Sequence, residues 1–149
     1  MPEIVDIAFE SIGCIRNLWE KLNELHYEDT VYFEDHYESF GFEERIAAWR
    51  DWDPGDLKIS IVKEGPRFLG YCVSTKAGIA GEIESIYLEP ELQGIGLGKR
   101  LVGEHVAWLR AGGCKRIRAA VSYGHEGVVE EFYHRLGFYE RLIYFELKE

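Results

Sequence analysis

The chain has only three cysteines in 149 residues, Cys14, Cys72 and Cys114, and none lies at a Cys-x-x-Cys or Cys/His ligand spacing. Neither a disulfide framework nor a metal site is expected, and a reduced cytoplasmic protein is the plain reading. Basic charge is also scarce. Seventeen Lys and Arg stand against 27 Asp and Glu, a formal net charge of -10. That balance excludes nucleic acid or anionic lipid as the main partner, because both demand basic faces, and it leans toward a cationic substrate. No apolar run approaches the ~20 residues that span a bilayer, and residues 1–6 lack the basic-then-apolar pattern of a targeting signal. Repeats, low-complexity stretches and linkers are missing too. What is present is 46% hydrophobic and 14% aromatic content, enough to build one domain over 1–149 without disulfides.

The pattern along the chain predicts an opening strand over 3–9, then a helix over 11–26 with Ile15, Leu18, Leu22 and Leu25 on one face. Residues 27–41 show no regular period. Phe42, Ile46 and Trp49 mark a short helix that ends before the Asp53-Pro54-Gly55-Asp56 turn. From Leu57 onward strands dominate: a hairpin turning at Gly65-Pro66 with a return strand over 68–74, then a strand over 82–88. A helix follows with Leu97, Leu101, Val102, Val106 and Leu109 as its stripe, ended by Gly112-Gly113. A buried-type strand over 117–122, a helix over 126–136 and one or two strands from Phe138 onward complete the prediction.

The most informative segment is the strand that stops at Pro90 and re-emerges as Gln93-Gly94-Ile95-Gly96-Leu97-Gly98-Lys99 at the start of a helix. Three glycines keep the loop free of side-chain bulk, so backbone N–H groups can converge on one anion while the helix adds its positive end. The dinucleotide fingerprint fails because Lys99 stands where it needs glycine. The nucleotide-triphosphate loop fails at Gln93 and Arg100. What fits is Gln-x-x-Gly-x-Gly, read as Gln93, Gly96 and Gly98, and this resembles the acyl-CoA-binding motif of the GNAT superfamily of N-acetyltransferases. A second segment, Phe132-Tyr133-His134-Arg135-Leu136-Gly137-Phe138, resembles the ending that closes the same family's domain. The resemblance covers 57–149 well and the first 56 residues in outline.

The resemblance implies an α/β (α+β) fold: a mixed, mostly antiparallel sheet of six to seven strands flanked by about four helices. It implies acetyl-CoA as cosubstrate, with no metal. Gln93, Gly94, Ile95, Gly96, Leu97, Gly98 and Lys99 would hold the pyrophosphate, and the backbone of Ile86, Tyr87 and Leu88 the pantetheine arm. The Leu88 N–H is the candidate to polarise the thioester carbonyl. Glu126, Val129, Phe132 and Tyr133 would complete the cofactor set, although many relatives carry asparagine where Glu126 stands. Tyr133 resembles the tyrosine that protonates the departing thiolate.

Transfer to an amine requires a base, since an alkyl ammonium of pKa about 10.4 has no lone pair at neutral pH. Glu82 and Glu84 are the candidates, expected by strand alternation to share one face with Ile86 and Leu88; a solvated strand edge is the structural alternative. Tyr27, Tyr32 and Phe33 lie in a stretch with Glu28, Asp29, Glu34, Asp35 and Glu38 and no lysine or arginine. In the family this region overhangs the acceptor, and rings with carboxylates favour a cationic small-molecule or peptide amine. The expected reaction is direct attack in a ternary complex. A non-catalytic acyl-CoA sensor or partner module, or transfer of another acyl chain or to another acceptor, is the alternative. The family also forms homodimers, for which the terminal strand offers a surface.

Overall fold

The computed structural model describes residues 1–124 and 128–149. Its centre is a five-stranded sheet in the order β1-β2-β3-β4-β5, formed by Glu3–Ile7, Leu57–Glu64, Arg67–Ala77, Ala80–Leu88 and Arg116–Ala119. The first four strands run antiparallel to their neighbours. β4 and β5 are parallel, joined by the crossover helix α4, Leu97–Ala111. Two glycines with positive φ, Gly65 at 59° and Gly78 at 60°, make the tight turns of the β2–β3 and β3–β4 hairpins.

Two apolar layers cover the sheet. On one face α1 (Arg16–Asp29), α3 (Phe42–Arg50) and the preceding 3-10 turn Phe9–Ile15 bring Ile12, Ile15, Leu18, Trp19, Ile46 and Trp49 onto Ile59, Ile61, Tyr71 and Val73. On the other, α4 and α5 (Val128–Arg135) set Leu97, Leu101, Val102 and Phe132 against Val62, Cys72, Ile83, Ile86 and Leu88. The α3 start is secured where Glu44 reaches back to accept the Gly41 N–H at 3.1 Å.

The structure departs from the sequence reading in three places. The first helical segment opens as a 3-10 turn, because Ile12 and Ile15 bury at i, i+3 and Arg16 is the first α residue. A helix α2, Glu34–Ser39, forms inside the stretch read as irregular; it buries none of its residues, so it left no apolar period to detect. The strands expected from Phe138 onward are not formed: 139–149 lies outside the sheet and is exposed throughout. That segment carries apolar residues on both alternating faces, Leu142 and Tyr144 on one, Ile143, Phe145 and Leu147 on the other. A strand of that type must be covered on both sides, and its own chain supplies no cover. The sheet therefore has five strands instead of six or seven, within the expected mixed α+β class. Among the described residues no helix is long and apolar enough to cross a membrane.

Candidate active site

β4 and β5 pair only from Ala80/Arg116 to Ile83/Ala119 and then part. Beyond that point β4 keeps its neighbour on one side alone. The Glu89 N–H donates to the Leu69 carbonyl at 2.9 Å, and in the same register Tyr87 faces Tyr71 as a hydrogen-bonded pair. Antiparallel alternation then makes Ile86 and Leu88 non-hydrogen-bonded positions, whose N–H and C=O turn away from β3 toward the space β5 vacates. Gln93 closes the end of this gap, its Nε2 donating to the Leu88 carbonyl at 3.2 Å. The expectation that Ile86, Tyr87 and Leu88 would all offer backbone groups to a ligand is thus corrected at Tyr87, whose backbone is directed at β3.

The three loop glycines divide their work. Gly94 and Gly96 have φ of 83° and 87°, a region side chains rarely adopt, and a Cβ there would meet nothing within 4 Å. Gly98 is instead needed for closeness: a Cβ would lie 2.9 Å from Phe132 Cε1 and 3.3 Å from Leu88 Cδ1. This contact seats α5 on the first turn of α4. Because α4 is capped at Gly96 by no side chain, the N–H groups of its first turn, Leu97 through Lys99, point out of the helix end unshared. With Ile95 and Lys99 both exposed, the arrangement suits a phosphate-bearing ligand.

The two glutamates are placed differently from the sequence expectation. Val73 pairs with Ser85 and Ser74 with Ile83, so Glu84 is an extra, unpaired residue and β4 bulges there. The bulge reverses the strand's alternation. Gly81, whose Cβ would abut Leu109 and Cys114, and Ile83 face α4 before it, and Ile86 and Leu88 face α4 after it. Glu82 and Glu84 consequently share the opposite, α3 side of the sheet and do not share a face with Ile86 and Leu88. Glu84 is held by Thr75 Oγ1 at 2.9 Å, Arg45 Nη2 at 3.4 Å and Trp49 Nε1 at 3.5 Å. Glu82 meets Arg118 Nε at 2.7 Å through Oε1. These partners lie on α3, β3 and β5, far apart in sequence, and no spacing pattern revealed them.

Tyr133 lies in α5, almost wholly buried, its ring edge-on to Phe132 and Phe138 at centroid distances of 5.2 and 5.5 Å. Burial pushes its phenol above the usual range, with the nearby Cys72 thiol adding to the effect, so the oxygen keeps its proton near neutrality. Val129 is half-buried on the same helix. Glu126 lies outside the described residues.

The acidic aromatic stretch forms a rim. Tyr32 stacks parallel to Tyr123 at 6.5 Å, and the Tyr37 hydroxyl donates to Ser122 Oγ at 2.9 Å, so 30–37 docks on the loop that follows β5. Tyr27 and Tyr32 are exposed and Phe33 half-buried. Residues 31–36 and 146–149 bound a groove of about 500 Å³. Among the described residues no group of three or more His, Cys, Asp or Glu is placed to hold a metal ion.

A family model described as "Acetyltransferase (GNAT) family" matches residues 19–138. The chain belongs to that family. It is an N-acetyltransferase. Solved structures share the fold: a Pyrococcus furiosus protein described as an acetyl transferase is 20% identical, with complete coverage of both chains and a TM-score of 0.78. The PaiA N-acetyltransferase from Thermoplasma acidophilum, crystallised with coenzyme A, is 18% identical over 91% of this chain and 87% of its own, with a TM-score of 0.69. The aminoglycoside N-acetyltransferase AAC(6')-Iy, also with CoA, is 16% identical over 99% and 95%, with a TM-score of 0.68. A sequence search of curated proteins finds no match.

Proposed function

We propose that the protein transfers acetyl from acetyl-CoA to a cationic amine by direct attack in a ternary complex, with the thioester lying in the gap between β4 and β5. The observation that carries this reading is the pair of backbone positions, Ile86 and Leu88, turned into a gap that ends at the Gln93–Lys99 loop. The loop and the first turn of α4 take the pyrophosphate, and the Leu88 N–H donates to the carbonyl oxygen as it gains charge. Such a donor stabilises the transition state more than the ground state.

The acceptor approaches from the α3 face, where Glu82 and Glu84 point and where Tyr27, Tyr32 and Phe33 lie on the acidic rim. Glu84 is engaged through both oxygens, by Thr75 on one and by Arg45 and Trp49 on the other, whereas the Arg118 contact of Glu82 uses one oxygen. Glu82 is therefore the better placed base. It takes the ammonium proton, the neutral amine nitrogen bonds to the carbonyl carbon, the C–S bond breaks as Tyr133 gives its proton to the thiolate, and the second proton shed by the amide nitrogen restores the Tyr133 phenol.

We read the uncovered segment 139–149 as support for a homodimer. Six large apolar side chains there, each 58% or more exposed, present an area few monomers leave in water.

The test is CoA-thiol release from acetyl-CoA against polyamines, amino acids, aminoglycosides and short peptides, beside calorimetric binding of acetyl-CoA alone. Turnover with one amine class, lost in Tyr133→Phe, supports the reading. Tight binding without thiol release from any amine overturns it in favour of an acyl-CoA sensor, and unchanged turnover in Tyr133→Phe removes that residue's acid role.

A further inference from the structure

The stripe that α4 lays on the sheet is apolar except at one position. Leu97, Leu101, Val102 and Leu109 are buried there, and between them His105 is fully buried as well. Its Nε2 lies 2.9 Å from Ser60 Oγ on β2 and its Nδ1 2.7 Å from Ser74 Oγ on β3. Ser60 in turn donates to Asp6 Oδ1 on β1 at 2.6 Å, and Lys58 Nζ donates to Asp6 Oδ2 at 2.7 Å.

Proton counting gives this chain one direction. Ser60 has a single hydroxyl hydrogen, spent on the Asp6 carboxylate, so toward the imidazole it can only accept. His105 then carries its proton on Nε2, and the bare Nδ1 accepts from the Ser74 hydroxyl. The Asp6 charge therefore fixes the tautomer through Ser60, and every polar atom in the buried part is satisfied.

Apolar contacts are non-directional, and a stripe of leucine and valine leaves a helix freedom to slide along a sheet. Two hydrogen bonds of fixed direction, to adjacent strands, remove that freedom. A buried polar group in an otherwise apolar layer is also costly unless it is fully paired, and fixing register is its best-attested use. The register of α4 matters because its N-terminus carries the Gln93–Lys99 loop, and because Ser74 pairs with Ile83 beside the bulge where β4 begins to part from β5.

We propose that His105 is a positioning residue: gripping Ser60 and Ser74, it sets where α4 sits along the sheet and so holds the glycine loop over the open end of β4, at the distance acetyl-CoA requires. The inference rests on the reading of that loop as the pyrophosphate site. Removing the grip should weaken acetyl-CoA binding more than it weakens the fold.

The experiment compares acetyl-CoA affinity by calorimetry with thermal stability in wild type, His105→Gln, Ser74→Ala and the triple variant His105→Leu, Ser60→Ala, Ser74→Ala. The triple variant leaves no orphaned polar atom, so its fold should survive while its Kd rises about tenfold, the scale of a small misplacement acting from outside the site. His105→Gln keeps a donor and an acceptor and should stay within about threefold of wild type, since an amide can make both bonds. Ser74→Ala, the smallest change, should weaken affinity by several-fold even where the triple variant does not fold. Affinity of the folded triple variant equal to wild type overturns the proposal, as does unchanged affinity in Ser74→Ala. Failure of wild type itself to bind acetyl-CoA refutes the loop assignment instead, so the two failures are told apart.

Discussion

Lowering the pH from neutral to 5 should destabilise the protein through His105 alone by about 2 kcal/mol. Burial, followed by the Lys58 ammonium, pushes the imidazole pKa down to about 3, and the Asp6 carboxylate pulls weakly the other way. In the unfolded chain the same ring titrates near 6.5. The unfolded state therefore binds a proton that the folded state refuses. The stability due to this group is complete above about pH 6.5 and is lost as the pH falls toward 3. At pH 5 an unfolded imidazole is about 97% protonated and the folded one nearly bare, which costs about 1.5 pKa units of free energy, or about 2 kcal/mol. Because the folded value lies well below 5, the unfolded value sets this magnitude. The assay is denaturant unfolding at pH 7.5 and pH 5.0 in wild type and His105→Gln, which cannot titrate. Carboxylates contribute to both proteins alike, so the difference between the two pH slopes isolates the ring. Wild type should lose about 2 kcal/mol more than the variant, equivalent to roughly 4–8 °C in Tm. Equal slopes would refute the buried neutral imidazole and the tautomer argument with it.

The glycines of the loop and of α4 should separate by mechanism. Gly98→Ala should cost about 1 kcal/mol net and weaken acetyl-CoA binding, because the new Cβ pushes Phe132 and Leu88 while gaining helix propensity; Gly103→Ala, with nothing within 4 Å in the same helix, should stabilise by about 0.5–1 kcal/mol in thermal melts. Glu82→Gln should lower kcat by about 100-fold at neutral pH and flatten the acid limb of the rate profile, the loss expected of a general base. Glu84→Gln should act mainly on stability, by about 1–2 kcal/mol, through its contacts with Thr75 and Arg45. Replacing Ile143 and Phe145 by glutamate should shift the sedimentation of a dimer to that of a monomer without changing the melting of the isolated fold.

What the sequence makes legible follows from what a linear pattern can encode. The turn from Gln93 to Lys99 and the helix it opens stand where the sequence puts them because the signal is local: two glycines at positive φ and a helix end lie within a few residues. The sheet strands and α4 are read because their apolar periods are long. α2 is missed because a helix that buries nothing shows no period. The partners of the two glutamates are missed because Arg45, Thr75 and Arg118 come from three elements joined only by the fold. His105 carries a signal that was open to reading: a histidine seven residues after Gly98 and four before Leu109 sits on the buried stripe, where a polar side chain must find partners. Only the structure says that they are Ser60 and Ser74.

The bulge at Glu84 shows how one unpaired residue can make a strand serve three purposes. Unbulged, strict alternation would put Glu82 and Glu84 on the face of Ile86 and Leu88, so either the carboxylates would be buried against α4 or the apolar pair exposed. With the extra residue the carboxylates point toward α3 and the acidic rim, while Ile86 and Leu88 still close the layer beneath α4. The backbone groups of those same two residues, in the plane of the sheet, are left to the gap beyond Ala119. Carboxylates, apolar floor and unpaired backbone groups thus come from seven consecutive residues pointing in three directions. Since Ser74 is the β3 residue at the step in register, the His105 grip and the bulge act at one place. A substitution that removes the bulge should therefore affect binding and catalysis together, whereas Tyr133→Phe should affect catalysis alone.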